Sequence, residues 1–171
     1  YIMMKGKTNN KLQYFIVDFG SIHLIPTLCV YMALLPMIYA LSYPGAELNN
    51  LDILATFLAV LAVIIQIISD QQMYNFRKNI TEPKTMKSGL WYYSRHPNYF
   101  GEILFWFSLF IFALASNLSF AWLLIGSLIM YALIAIASVS MMDKRSLERR
   151  SDFKEYMDST PPIFLNVFKK G

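Results

Sequence analysis

The sequence predicts an all-α polytopic membrane bundle of four transmembrane helices followed by a cytoplasmic C-terminal helix. Three observations carry that expectation. The 171-residue chain is 56% hydrophobic and only 15% charged, where soluble domains average about 25% charged. Phe19 to Ala46, Ile53 to Ser69 and residues 103 to 142 hold no Asp, Glu, Lys or Arg, and with their flanks they offer four lengths that cross about 30 Å of hydrocarbon. The fifteen Lys and Arg also divide as three before the first span, five between the second and third, and seven after the fourth, with none in the two remaining turns. Under the positive-inside rule, both termini and the middle loop are then cytoplasmic.

The first span is expected over about residues 21–43. Pro26 and Pro36 lie inside it and predict kinks that neighbouring helices accommodate. Asp18 and His23 stand near its start, where an interfacial position suits both. Tyr43 to Asn50 reads as a short turn, so the second span, about 51–72, returns antiparallel. Its helical pattern runs on toward Arg77 and puts Gln66, Asp70 and Arg77 in one stripe, four and seven residues apart. Residues 77–97 form a polar cytoplasmic loop containing Pro83.

That loop delivers the chain to Gly89-Leu90-Trp91-Tyr92-Tyr93-Ser94-Arg95-His96-Pro97-Asn98-Tyr99-Phe100-Gly101-Glu102, where polar, aromatic and turn-forming residues meet. Pro97 suits the first turn of a helix, which then carries Asn98 and Glu102 on one face into the membrane. An acid at that depth costs a few kcal/mol unless it has a partner, and a donor on a bound cofactor or on Arg95 would supply one. The third and fourth spans, about 99–115 and 118–142, turn at Ser116 to Ser119. Gly126, Ser127, Ala132, Ala135, Ala137 and Ser138 give the last a small-residue surface for close packing. A cytoplasmic tail, 143–171, begins with a mixed-charge helix through Tyr156 and meets Pro161-Pro162. The chain reads as one membrane domain, 1–171.

Several function classes drop out. The lone Cys29 excludes a disulfide framework and paired-cysteine metal sites. No Gly-rich phosphate loop is present. The net charge of +4 is the topology signal and calls for membrane lipid or a phosphorylated ligand, not nucleic acid. Tyr1 opens the chain with no signal-peptide pattern behind it.

The Gly89–Glu102 motif resembles the signature of the bacterial DUF1295 membrane proteins and, more broadly, of the steroid 5-alpha-reductase C-terminal superfamily. That superfamily also holds the sterol C14 and C7 reductases and the isoprenylcysteine and phospholipid methyltransferases. The resemblance covers roughly residues 50 to 168. It implies a helical bundle whose cytoplasmic end holds a nucleotide-like cofactor, NADPH in the reductases and S-adenosylmethionine in the methyltransferases. The acid closing Asn98-Tyr99-Phe100-Gly101-Glu102 matches the reductases. On that resemblance the cofactor-binding residues are Gln66, Asp70, Arg77, Arg95, His96, Asn98, Tyr99, Glu102 and Arg145, with Lys84 a further basic candidate. The implied activity is NADPH-dependent reduction of an activated C=C bond in a lipophilic substrate, steroid-like or a fatty enone. The alternatives are an S-adenosylmethionine-dependent methyltransferase and a non-catalytic lipid-binding protein. The implied location is a bacterial inner membrane in preference to the endoplasmic reticulum. The family's further N-terminal helices, which bring a substrate-side acid and Tyr, have no matched counterpart here and are expected to be missing.

Overall fold

A computed structural model describes residues 11–43 and 47–166. Among them the secondary structure is helical, and four helices are long and apolar enough to cross a membrane. The first, α1, is a continuous rod made of Lys11–Asp18, a wider π-helical stretch Phe19–Leu24, and Ile25–Ser42. Pro26 lacks an N–H, and its ring crowds the carbonyl four residues back; the wide turn just ahead of it takes up the mismatch. The helix therefore starts well before the expected residue 21. The Pro44-Gly45-Ala46 part of the expected turn lies outside the described residues.

Helix α2 covers Asn50–Lys78. Asn49 opens it with a capping box: its Oδ1 accepts the Leu51 N–H at 2.9 Å, and Asp52 Oδ2 accepts the Asn49 N–H at 2.9 Å. The Asn49 amide also donates to the Ala115 carbonyl at 2.8 Å, tying the start of α2 to the end of a later helix. The loop that follows holds a short helix, α3 (Leu90–Tyr93), before α4 runs over Pro97–Ser116 with Pro97 in its first turn. The expected loop 77–97 is thus narrower than its limits, because α2 continues through Lys78 and α3 occupies its end.

The last long helix, α5, spans Leu118–Arg149. It is built from a 3-10 turn Leu118–Leu123, α-helix Leu124–Ala132, a π-helical stretch Leu133–Val139 and α-helix Ser140–Arg149. Its buried positions step from Leu123 to Ser127, Met130 and Ile134 at helical spacing, then jump five residues to Val139 before resuming at Asp143. The π stretch absorbs the extra residue, so every later side chain is turned about 100° from where an unbroken helix would point it. This corrects the expected small-residue surface. Gly126 and Ser127 are buried, whereas Ala137, within the π stretch, is exposed. The expected tail helix also divides: α5 ends at Arg149, and α6 resumes over Phe153–Ser159. The part of the tail beyond Asn166 lies outside the described residues.

Helix α4 is central, packed on α1, α2 and α5. Against α2 the backbones nearly touch at Gly101, where an added Cβ would stand 2.8 Å from the Ala62 carbonyl oxygen and 2.8 Å from Gln66 Cγ. Gly126 of α5 plays the same part against α1, where a Cβ would strike the Met32 carbonyl oxygen. Ser127 Oγ donates to the Trp106 carbonyl at 2.9 Å and joins α5 to α4. In hydrocarbon, where lipid is as apolar as the side chains, such close packing and interhelical hydrogen bonds are what favour association. Gly101→Val is therefore expected to cost about 1–3 kcal/mol by overpacking, read as a lowered unfolding temperature in detergent. Gly20→Val, a site with no atom within 4 Å of the added Cβ, is expected to leave that temperature nearly unchanged.

Candidate functional site

The motif is held at one end of the bundle from both sides. Gly89 has φ +63°, and an added Cβ would also sit 2.6 Å from the Gln72 side-chain amide. Gln72 Oε1 accepts the Leu90 N–H at 3.0 Å, and Trp91 Nε1 donates to the Ser69 carbonyl at 3.0 Å, so the motif docks on α2. From the other side the strap Pro161–Asn166 crosses it. Arg95 N–H donates to the Pro161 carbonyl at 2.9 Å, Asn166 N–H to the Tyr93 carbonyl at 3.0 Å, and Ser94 Oγ to the Ile163 carbonyl at 2.8 Å. Tyr156 of α6 sets its hydroxyl against the carbonyls of Trp91 and Ser94. Burial, with Asp143 nearby, raises the Tyr156 pKa above its ordinary value, so the phenol remains a donor.

Helix α6 is in turn anchored to the loop after α2. The Asp152 carboxylate accepts the Thr85 hydroxyl at 2.7 Å and the Thr85 N–H at 3.2 Å. Burial acts to raise the Asp152 pKa, but the two Thr85 hydrogen bonds and Lys87 outweigh it and hold the carboxyl below its ordinary value. A depressed carboxylate pKa stabilises the fold above the ordinary carboxylate range, and that contribution is lost as pH falls through the folded value.

Inside this frame lies a cavity of about 360 Å³. Six of the nine expected site residues line it: Asp70 and Arg77 from α2, Arg95 and His96 from the motif, and Asn98 and Tyr99 from α4. Arg95 (9% exposed), His96 (7%) and Asp143 of α5 (9%) form a buried cluster. Asp143 Oδ2 lies 3.2 Å from Arg95 Nη2, and its Oδ1 lies 2.9 Å from His96 Nε2. His96 also stacks on the Tyr99 ring, with centroids 5.3 Å apart. Arg95 Nε and Nη1 and Asn98 Oδ1 are buried without a hydrogen-bond partner among the described residues.

The other three expected residues lie elsewhere. Gln66 sits deeper, against Gly101, and Glu102 lines neither this cavity nor its neighbour. Arg95, named as a partner for Glu102, is directed to Asp143 instead. Arg145 opens onto an adjoining groove of about 400 Å³ together with Arg77, Arg149 and Arg150; Arg77, Met142, Ser146 and Arg150 line both spaces. Lys84 lines neither. No carboxylate lines the groove among the described residues, and burial followed by the charge of Arg77 lowers the Arg150 pKa.

A family model described as a protein of unknown function (DUF1295) matches residues 1–160. The chain belongs to the DUF1295 family. No curated protein and no solved structure matches it. The match reaches further upstream than residue 50, taking in α1, and includes the motif and Asp143 of this DUF1295 chain. The Pro161–Asn166 strap lies beyond it.

Sequence reasoning did not select Asp143, Tyr156 or Arg150 for this site. Tyr156 carried a readable signal, a lone aromatic-polar residue among charged neighbours in the tail helix. Asp143 carried none, because its position depends on the π stretch. Tyr156→Phe removes the donor facing two buried carbonyls and is expected to cost about 1–3 kcal/mol, measured by thermal unfolding. Asp152→Asn is expected to flatten the loss of stability on acidification through the carboxylate range, since the wild-type contribution there comes from the ionised side chain.

Proposed function

We propose that the basic end of the bundle binds NADPH and that the protein reduces an activated C=C bond of a lipophilic substrate. The observation that carries this reading is the four-arginine groove opening into the cavity. Like charges gathered without carboxylates are unfavourable unless an anion joins them, and the pyrophosphate and 2′-phosphate of NADPH are anions that guanidinium groups bind bidentately. S-adenosylmethionine has no phosphate and would leave them unmatched.

The cavity suits the other end of such a cofactor. A primary carboxamide offers one acceptor and one donor side by side, as the unpartnered Arg95 N–H groups and Asn98 Oδ1 require. NADPH would supply the hydride. The chain's own residues bind and orient: Arg77, Arg145, Arg149 and Arg150 take the phosphates, Arg95 and Asn98 fix the carboxamide, and Trp91, Met86 and Phe153 shield the cavity from water. The charge-free parts of α2 and α4 begin directly beside the cavity, which gives a substrate dissolved in the bilayer a short path to it. By the positive-inside rule this end faces the cytoplasm.

Purified protein titrated with NADPH, NADH and S-adenosylmethionine tests the reading. NADPH is expected to raise the unfolding temperature most, by RT ln(1 + [L]/Kd), and Arg77→Ala and Arg150→Ala are each expected to weaken it about ten- to a hundredfold, or about 1.5–3 kcal/mol. Stabilisation by S-adenosylmethionine alone would replace the reductase with a methyltransferase. For the orientation, with Cys29 replaced, a cysteine at Leu48 (90% exposed) is expected to react with an impermeant thiol reagent outside the cell and one at Thr81 to be protected.

A further inference from the structure

We infer that His96, oriented by Asp143, is the proton donor of the site, with its Nδ1 as the reacting nitrogen. The inference rests on the reductase reading for the identity of the reaction, but its geometric basis is independent of it. Asp143 is paired with Arg95 at 3.2 Å, so it is a carboxylate, and a carboxylate only accepts hydrogen bonds. His96 Nε2, 2.9 Å from the other Asp143 oxygen, must therefore carry a proton in both charge states of the ring. Protonation and deprotonation fall to Nδ1. That nitrogen makes no helix-capping bond and has no hydrogen-bond partner among the described residues, and the ring lines the cavity.

The arrangement is a ring whose rear nitrogen is locked to a buried carboxylate and whose front nitrogen is left for a ligand, the geometry an acid–base group needs. The charge balance also suits proton release. Arg95 and Asp143 already neutralise each other, so the cluster is neutral with a neutral ring and carries one positive charge with an imidazolium. The groups facing the ring from neighbouring elements are Asp143 of α5, Arg95 of the motif and Tyr99 of α4. Asp70 and Arg77 of α2, Arg150 and Tyr156 line the same cavity.

Reduction of an enone adds a hydride to the β-carbon, drawn with its two electrons from the reduced nicotinamide, and a proton to the α-carbon. The C=C π bond breaks, two C–H bonds form, and the nicotinamide is left oxidised. The α-carbon proton comes from His96 Nδ1, and water at the cavity mouth restores it.

With only two histidines in the chain, protein labelled with nitrogen-15 histidine gives two imidazole signals, and His23→Gln assigns them. The expected result is a neutral His96 protonated on Nε2, a tautomer balance that moves toward Nδ1–H in Asp143→Asn, and an Nδ1 signal that shifts on adding NADPH while His23 does not respond. A neutral ring protonated on Nδ1, or an Nδ1 signal that stays put in protein that binds NADPH, would overturn the inference. In turnover of a 4-en-3-one steroid or a long-chain 2-enone, His96→Gln is expected to keep NADPH affinity within about threefold and lose about 10²–10⁴-fold in rate. The wild-type rate is expected to fall as pH rises through the titration observed for that ring, with Asp143→Asn moving the profile. Full turnover in His96→Gln would also overturn it. Failure of the wild-type protein to bind NADPH would instead remove the reductase reading, leaving the tautomer measurement to judge the His96–Asp143 pair by itself.

Discussion

The site depends on how closely α2 and α4 approach at Gly101. With no side chain there, the Ala62–Gln66 backbone of α2 lies directly on α4, and Ala62 is wholly buried in the contact. Two helices that meet backbone to backbone have one register, because a shift along either would bring a larger side chain into the seam. That register places Asp70 and Arg77, above the contact on α2, across from Asn98 and Tyr99 on α4. The capping box at Asn49 and its bond to Ala115 hold the same pair of helices at the opposite end, so the contact is fixed at two heights.

Within that frame the motif is a polar segment made safe at a membrane boundary by hydrogen bonding. Its backbone groups are taken up by Gln72, Tyr156 and the strap, and the Arg95 and His96 side chains converge on Asp143. Removing one member of such a buried cluster leaves an uncompensated charge or donor, so the cluster serves to specify one arrangement of α5 against the motif. Apart from Trp106 Nε1, the buried side-chain atoms left unsatisfied among the described residues belong to two residues that line one cavity. Arg95 Nε, Arg95 Nη1 and Asn98 Oδ1 are too few to undo the fold and are grouped as a ligand would require.

The charge-free runs, Pro97 at a helix start and the Asp70–Arg77 stripe were all legible in the chain because each is a local property: hydrophobic length, a missing N–H, a repeat of 3.6 residues. The stripe does line the cavity, yet its continuation to Gln66 does not, since Gln66 is used against Gly101. Arg145 occupies the adjoining groove, and Glu102 follows α4 below the cavity. Periodicity tells which side chains share a face of one helix but not how far along that face the neighbouring helix leaves room.

By itself, then, the sequence determined the helical class, four membrane-length helices and the gathering of Lys and Arg into three segments, since the bilayer reads these as length and charge along one chain. Tertiary structure alone decided that Asp143 meets Arg95 and His96, that Tyr156 and the strap close over the motif, and that four arginines share a groove. Those pairings join residues 47 to 73 positions apart, and the Asp143 contact further requires the one-residue shift of the π stretch Leu133–Val139. A helix that gains one residue in a turn keeps its composition and its hydrophobic length while rotating everything that follows, which is why a linear reading sees the helix and misses the face it presents.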